Sequence, residues 1–291
     1  MVMEKSSIIS KTIDSTPSSR KRRIIHRTWG ERSGPITRLV SPSDLGEMIK
    51  PFVFLDYFEA QSLTASGFGW HPHSGIATIT FVLSGEGFSY EDSTGKQGIL
   101  PQGGVEWMRA GGGVWHRGEA APGLMQGFQL WIALPPEQEL APAQSVYLAP
   151  HQVEESGAVR VVLGRYGTAK SPIAAPPSIN YLVVQLKDKE HWHFEPDMGN
   201  TVCWVAVQAG MLHTDDNTLA SGELVVFEES DAAIDFYAEG DTTFMLGSAI
   251  KHPHDLVLGY YSVHTSPDAL YKGETEIKRL ANKLRNEGRL H

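Results

Sequence analysis

The 291-residue chain has little cysteine, few cationic side chains and no long apolar run. Its one cysteine, Cys203, excludes an internal disulfide framework and a cysteine-rich zinc module. The 25 lysines and arginines stand against 34 aspartates and glutamates, and the net charge of −9 argues against a broad nucleic-acid-binding face and against adhesion to a membrane. No run approaches the roughly 18 apolar residues that a membrane-spanning helix needs. We therefore expect a small molecule or a partner protein as the ligand.

Residues 1–20 are polar and rich in serine and threonine, and they lack the apolar segment of a secretory signal peptide. Together with the single cysteine, this favours a cytoplasmic location. The basic run Arg20-Lys21-Arg22-Arg23 could be a nuclear or nucleic-acid signal. Because the rest of the chain is acidic and has no second basic cluster, we favour a flexible, solvated tail over residues 1–23.

The 29 glycines and 17 prolines exceed average usage without showing a period, which indicates many turns between short elements. Apolar runs of about 5–9 residues, rich in β-branched and aromatic side chains, recur between these turns and are too short for core helices. The clearest runs are residues 76–83, 126–134, 159–163, 181–186, 201–207 and 223–227. The pattern predicts an all-β sandwich or barrel and not a series of βαβ units.

A strand, a glycine turn and a further strand occur near Gly85 and again near Gly210, which predicts two similar β-barrels. A proline-rich segment without sustained pattern separates them, as expected of a linker. A helix is predicted only at the end, where apolar residues recur at helical spacing after the start signal Ser266-Pro267. The predicted division is a tail (1–23), an N-terminal barrel (24–136), a linker (137–156), a C-terminal barrel (157–266) and a C-terminal helix and tail (267–291).

The segment His71-Pro72-His73 is the most informative in the chain. Two histidines two residues apart on extended backbone point to the same side, so both imidazoles can reach one cation. A third candidate ligand, His116, follows the glycine run 111–113, which allows the backbone to turn sharply. Imidazoles with open coordination positions suit iron, nickel, copper or zinc. By itself this spacing is a weak signal, since histidines on extended runs are more often surface or structural residues.

Several motifs, in order along the chain, resemble those of the pirin family, whose members have a bicupin fold of two cupin barrels. The matching segments are residues 51–58 (PFVFLDYF), 71–75 (HPHSG), 82–86 (VLSGE), 92–95 (DSTG), 104–108 (GVEWM), 110–116 (AGGGVWH) and 127–135 (GFQLWIALP). The resemblance is strong over residues 24–136 and looser over residues 157–266. It implies a metal site in the first barrel and none in the second.

The resemblance implies that His71, His73 and His116 are metal ligands, joined in the family by a glutamate two residues after the third histidine. That position holds Gly118, and Glu119 comes one residue later. A strand residue at this spacing faces away from His116, so Glu119 could act as a ligand or a catalytic base only through a β-bulge. A three-histidine site completed by water or substrate is therefore the favoured geometry, with Glu119 kept as the alternative fourth ligand.

The resemblance also implies an oxygenase of the quercetin 2,3-dioxygenase type. A planar flavonol would chelate the metal, a carboxylate would remove its hydroxyl proton, and dioxygen would cleave the ring. Iron(II) is the favoured metal, with nickel, zinc, manganese and copper left open. The alternatives are a non-catalytic, metal- or redox-responsive regulator that binds a partner protein, and a scaffold whose histidines bind nothing.

Other histidines and Cys203 are interpreted as structural. The pair His191 and His193 repeats the spacing of the first pair, but on a strand that we expect to be structural or exposed. His252 and His254 are expected in a loop, and Cys203 in the core. The segment 260–266 is expected to pack across the first barrel as a return strand. The three tryptophans near the site either belong to the core or line a substrate pocket: Trp70, Trp107 and Trp115.

Overall fold

The structure is a computed structural model that describes residues 21–60 and 68–290. Residues 1–20 of the predicted tail and Gly67 of the glycine-rich approach to His71 lie outside the described residues. The strands of the first half are β1 (Ile24–Thr28), β2 (Glu31–Ser33), β3 (Ile36–Val40), β4 (Phe52–Ala60), β5 (Phe68–His73), β6 (Ile76–Ser84), β7 (Phe88–Asp92), β8 (Gln97–Leu100), β9 (Val105–Arg109), β10 (Val114–Ala120), β11 (Met125–Ala133) and β12 (Gln144–Leu148).

The second half continues with short and long strands and ends in a helix. Its strands are β13 (Glu155–Ser156), β14 (Val159–Leu163), β15 (Arg165–Tyr166), β16 (Ala169–Lys170), β17 (Ile179–Leu186), β18 (His191–Phe194), β19 (Val202–Thr214), β20 (Asn217–Ala220), β21 (Leu224–Phe227), β22 (Ile234–Ala249), β23 (Val257–Gly259) and β24 (Ser262–His264). The helices are α1 (Leu45–Ile49) and α2 (Pro267–Asn286), with a single 3₁₀ turn at Pro150–Gln152.

Two antiparallel sheets build the first half. Over the described residues, seven strands pair in the order β12-β9-β6-β11-β4-β3-β2, and four pair in the order β5-β10-β7-β8. Most strands of the second half join β1 in one larger sheet with the order β1-β21-β19-β22-β17-β14-β13, with β18 beside β22 and β20 beside β19. The long strand β22 pairs with β18 through its first residues and with β17 through its later ones, while β19 pairs with it along most of its length.

The main core lies between the two large sheets, because alternate residues of their strands face each other. Phe52 of β4 meets Trp204 of β19 edge to face, with ring centroids 5.6 Å apart. A second core, which includes Trp192 and Phe236, belongs entirely to the second half. The face of β6 that carries Ile76, Thr78 and Thr80 is turned away from the main core. That face lies on the side where the candidate site is found.

The predicted all-β class, with two sheet systems and a C-terminal helix, is confirmed. Each of the six predicted runs forms a strand; the run 159–163, for example, coincides with β14. Helix α2 begins and ends where the spacing predicts, and the side chain of Ser266 accepts a hydrogen bond from the Ala269 amide at 3.2 Å. Among the described residues, no helix is long and apolar enough to cross a membrane.

Strand pairing crosses the predicted domain bounds, which remain a prediction. The first strand, β1, pairs with β21 of the second half. Within the predicted linker, β12 pairs with β9 of the first half. Polar side chains of β12, Ser145 and Tyr147, face a buried carboxylate, so the strand has no apolar alternation to reveal it.

Two further expectations were incomplete. The five-residue helix α1 was not predicted; the side chain of Asp44 accepts a hydrogen bond at its start. In the basic run, Arg22 is not solvated: its side chain is buried, and its Nε donates to the Glu228 carbonyl at 2.9 Å.

Candidate metal centre

Three histidines from two neighbouring strands converge on one point. Ligand atoms of His71, His73 and His116 all lie within 4.8 Å of one another, and no other group of this kind occurs among the described residues. The ring centroids are 4.3 Å apart for His71 and His116, and 5.1 Å apart for His73 and His116. The three histidines that the sequence predicts as ligands are therefore brought together.

The pairing of β5 with β10 explains this convergence. His116 pairs directly with His71, and Val114 with His73. The intervening residues, Pro72 and Trp115, pair with each other and face the opposite side, where they meet α2. Because side chains alternate along a strand, the three imidazoles share the inner face. His73 and His116 are buried there, while His71 is half-buried.

Backbone carbonyls fix the orientation of two of the rings. His71 Nδ1 donates to the Gly69 carbonyl at 2.7 Å, and His73 Nδ1 donates to the Tyr261 carbonyl at 3.0 Å. A carbonyl can only accept, so in both rings Nδ1 carries the proton and Nε2 keeps its lone pair. The Nε2 atoms of His73 and His116 are buried without a hydrogen-bond partner among the described residues.

Burial also keeps the His71 and His73 rings uncharged. It lowers the pKa of His71 to about 3, with a smaller contribution from His116. Burial likewise lowers the pKa of His73 well below its ordinary value, assisted by the two neighbouring histidines. Neutral imidazole is the form that binds a metal, so the rings are already in the ligand state near pH 7.

Glu119 does not join the three histidines in the structure. Along β10, His116 and Gly118 are buried whereas Arg117 and Glu119 are exposed, so alternation continues through this stretch. A β-bulge does lie here, but its extra residue belongs to β5: Gly118 pairs with Phe68, three residues before the partner of His116. The face of Glu119 is therefore unchanged.

The inward position next to His116 has no room for a side chain. A Cβ built on Gly118 would lie 2.0 Å from the ring of Phe88, which is itself buried. Phe88 packs edge to face with Phe68, at 6.2 Å between ring centroids. An aromatic cluster thus fills the space that a residue at position 118 would need.

A buried carboxylate that we did not predict lies behind His116. Glu106 of β9 is 1% exposed, and its Oε1 is 3.7 Å from His116 Nδ1. Thr80 donates a 2.8 Å hydrogen bond to its other oxygen. The hydroxyl of Tyr147 lies between Glu106, at 3.4 Å, and the second buried carboxylate, Asp92, at 3.2 Å. A carboxylate between the apolar residues Val105 and Trp107 of β9 was the signal in the sequence.

Aromatic side chains form one wall of the site. The ring of Trp131 lies 4.9 Å from that of His73 and stacks on Phe54 at 4.0 Å. Tyr261, which is 41% exposed, has its ring centroid 5.9 Å from His71 and 6.0 Å from His73. The Nε1 atom of Trp131 is buried and has no partner among the described residues. This wall presents flat apolar faces beside the histidines.

The tryptophans singled out from the sequence do not contribute to that wall. Trp107 is a fully buried core residue. Trp115 donates from Nε1 to the Ile277 carbonyl of α2 at 2.9 Å. The guanidinium groups of Arg117 and Arg289 lie 5.4 and 5.2 Å from the ring centroid of Trp70. Their roles are therefore in packing.

The remaining candidates lie apart from the centre. His191 and His193 are both exposed on β18, and His193 Nδ1 is 2.6 Å from Asp235. His252 and His254 lie in a loop, as expected. Cys203 is fully buried, and burial raises the pKa of its thiol to about 11, so it is unreactive, as predicted.

The donor set fits a divalent transition metal. Three converging imidazoles suit iron, nickel, copper or zinc, and the Nε2 atoms of His73 and His116 are buried without a hydrogen-bond partner among the described residues. Outer-shell acceptors that hold Nδ1 are typical of metal-binding histidines. His71, His73 and His116 would hold such an ion.

Comparisons with known proteins agree with the geometry. A family model described as Pirin matches residues 35–132. A protein of Pseudomonas aeruginosa named "Putative quercetin 2,3-dioxygenase" is 29% identical over 81% of this chain and 87% of its own length. A protein of Caulobacter vibrioides named "Pirin-like protein" is 27% identical over 84% of this chain and 88% of its own.

Solved structures share the fold. The crystal structure of a quercetin 2,3-dioxygenase from Acinetobacter baumannii has a TM-score of 0.78 at 24% identity, over 89% of this chain and 98% of that one. The bacterial pirin YhhW from Escherichia coli, solved in complex with nickel(II), has a TM-score of 0.61 at 19% identity, over 79% of this chain and 98% of its own. At these identities the likeness establishes the bicupin fold.

Proposed function

Because the chain matches the Pirin family model over residues 35–132 and resembles pirin-like proteins over most of its length, we propose that it is a metal-dependent oxygenase of the quercetin 2,3-dioxygenase type, acting on a planar, chelating aromatic substrate such as a flavonol. The observation that carries the proposal is the convergence of His71, His73 and His116, with the Nε2 atoms of His73 and His116 buried and without a hydrogen-bond partner among the described residues. A purely structural histidine cluster would be expected to satisfy those buried atoms within the protein.

The bound metal would supply a Lewis-acid centre that holds the two oxygens of a chelating substrate and brings the substrate together with dioxygen. The chain's own residues prepare that arrangement. The Gly69 and Tyr261 carbonyls hold His71 and His73 in one tautomer, so no reorganisation is needed when a ligand arrives. The flat wall of Trp131 and Tyr261 can stack against an aromatic ring.

Iron(II) is the metal we propose, on the family resemblance. Nickel(II) is the first alternative, supported by the nickel complex of YhhW. Three imidazoles alone do not discriminate between these ions. Metal analysis of the protein purified without added metal, followed by reconstitution with each ion, decides between them.

One observation favours the second candidate function, a metal-responsive regulator without catalysis. Among the described residues, no carboxylate oxygen joins the three histidines, since Glu119 is exposed and Glu106 lies on the far side of the His116 ring. A substrate hydroxyl proton therefore has no carboxylate base in front of the metal ligands. A regulator needs a metal and a partner protein, but no base.

The test separates the two functions. The protein is reconstituted anaerobically with iron(II), and the loss of flavonol absorbance under air is followed beside His73→Ala, which removes a ligand, and His193→Ala, which removes an exposed histidine. We expect turnover in wild type and in His193→Ala, and none in His73→Ala. Stoichiometric metal without turnover of flavonols or catechols would reject the oxygenase in favour of the regulator.

A further inference from the structure

Three buried polar side chains form a hydrogen-bonded chain beside the metal centre. His264 Nδ1 lies 3.0 Å from Glu139 Oε2, and His264 Nε2 lies 2.9 Å from Ser74 Oγ. Glu139 also accepts from the amide and the hydroxyl of Thr265, at 2.7 and 2.6 Å. Ser74, His264 and Glu139 are each 3% exposed or less. Burying three polar groups is unfavourable unless each is hydrogen-bonded, so this arrangement calls for an explanation.

A serine, a histidine and a carboxylate in this order resemble the catalytic group of a hydrolase, but the surroundings exclude that role. Ser74 is fully buried. Helix α2 covers it at Gly273, where an added Cβ would lie 2.5 Å from both Ser74 Oγ and His264 Nε2. No substrate carbonyl can approach the hydroxyl, so the group cannot act as a nucleophile.

These three hydrogen-bonded side chains are instead connected to a metal ligand, His73. Ser74 follows His73 directly and donates to Ser262 Oγ at 2.9 Å, and the backbones of Ser74 and Ser262 form a parallel bridge. Just before Ser262, Tyr261 adopts a left-handed backbone conformation with φ of 53°. Its carbonyl is the acceptor for His73 Nδ1. A non-glycine residue holds this conformation only where its surroundings enforce it.

We propose that Glu139, His264 and Ser74 are positioning residues that hold the segment 261–265 against the first barrel and so fix the tautomer and orientation of His73. This inference rests on the proposed metal centre. It assigns to that centre Glu139 and His264, which follow His73 by more than 60 and more than 180 positions in the sequence. Without the hydrogen bonds among Glu139, His264 and Ser74, the Tyr261 carbonyl is no longer held at His73 Nδ1. Loss of an outer-shell partner of this kind weakens metal binding by about 10–100-fold.

The experiment measures the affinity and the visible spectrum of cobalt(II) in the full-length protein. Ser74→Ala removes one hydroxyl, and Glu139→Gln keeps the shape of the side chain while changing the hydrogen bond to His264. The matched controls are Ser248→Ala, a fully buried serine of the second half, and Glu137→Gln, an exposed carboxylate two residues before Glu139. A third variant, Gly273→Ala on α2, adds a methyl group against Ser74 and His264 and leaves all three hydrogen-bonded side chains in place.

We expect folded Ser74→Ala, Glu139→Gln and Gly273→Ala proteins that bind cobalt(II) about 10–100-fold more weakly, with a shifted ligand-field spectrum, and controls that match wild type. Wild-type affinity and spectrum in folded Ser74→Ala and Glu139→Gln would overturn this inference alone. A wild-type protein that binds no cobalt(II), iron(II) or nickel(II) would overturn the metal centre and this inference with it.

Discussion

Three histidine pairs in the chain have the same spacing, and two of these pairs lie on strands, one on β5 and one on β18. Of these two strand pairs, the one on β5 belongs to the candidate metal centre. On β5 the histidines face inward and meet His116 of the neighbouring strand. On β18 the inward residue is Trp192, whereas His191 and His193 are exposed. The same His-x-His pattern therefore faces inward on one strand and outward on the other, because a shift of one residue in register exchanges the two faces of a strand.

The two pairs also differ in what holds their rings. His73 is held by a backbone carbonyl from a distant segment, which leaves Nε2 free for a metal. His193 Nδ1 pairs with Asp235, whose side chain is 80% exposed, and among the described residues His193 belongs to no group of three potential metal ligands. A metal site thus requires a converging strand and outer-shell acceptors in addition to a spacing.

Among the substitutions that test the difference between the two pairs, removing one histidine of the metal centre should change metal affinity the most. We expect His116→Ala to weaken nickel(II) binding by at least about 100-fold, more than the loss of an outer-shell partner, because a ligand is lost outright. The double variant His191→Ala/His193→Ala should bind like wild type. Isothermal titration of the metal-free proteins measures both affinities, and equal losses in the two variants would contradict the assignment.

Adding a carboxylate at position 118 should fail to complete the site. We expect Gly118→Glu to lower the free energy of unfolding by about 1–3 kcal/mol, because its side chain would overlap the Phe88 ring. The control is Gly69→Ala on the adjacent strand, where an added Cβ meets nothing within 4 Å. Urea unfolding measures the difference. A stable Gly118→Glu protein with tighter metal binding would show that Phe88 yields easily.

Changing the carboxylate behind His116 should have a smaller effect. Glu106→Gln keeps the shape but removes the charge near His116 Nδ1, and we expect metal affinity to fall by about tenfold. Glu119→Gln is the matched control, since that side chain is exposed on the other face of β10. The same titration compares them. A larger loss in Glu119→Gln would restore Glu119 as the fourth ligand.

The inward pair should make the metal-free protein sensitive to acid. The pKa of His71 is lowered to about 3 and that of His73 well below 6.5, so the unfolded chain binds protons more readily than the folded one. Stability is therefore complete above pH 6.5 and falls as the pH drops from 6.5 towards 3, by at most about 1.4 kcal/mol per pH unit for each proton. Urea midpoints measured with a chelator at pH 7.5 and pH 5 test this.

The variant His71→Gln should flatten that pH dependence. His193→Gln should leave it unchanged, because that side chain is 57% exposed. An equal slope in wild type and His71→Gln would mean that the inward histidines are not the source of the acid sensitivity.

The local pattern predicted much of the fold, because short apolar runs and α2 follow periods that burial imposes. The strands β14 and β21 and the helix α2 lie where the pattern indicates. What the pattern missed depends on distant partners. β12 is a strand because its polar side chains reach Asp92, and β1 pairs with a strand about 200 residues later.

The candidate site, like the fold, was predicted where the local sequence pattern determines it and was missed where it depends on distant residues. The histidines could be named from alternation and family resemblance, and the outward face of Glu119 follows from its parity on β10. The acceptor for His73 could not, since the Tyr261 carbonyl is a backbone atom brought in by the fold of the C-terminal segment. Glu106 could be noticed in the sequence as a charged residue in a buried strand. Only the position of β9 in the folded protein shows that it lies near His116.

The most direct test of the central claim is anomalous diffraction at the absorption edge of the bound metal, from crystals of the nickel(II)- or iron(II)-loaded protein. We expect one strong peak per chain, coordinated by Nε2 of His71, His73 and His116, and no peak at His191 and His193. A peak at the β18 pair, or a loaded protein with no ion at the three histidines, would contradict the assignment of the metal centre.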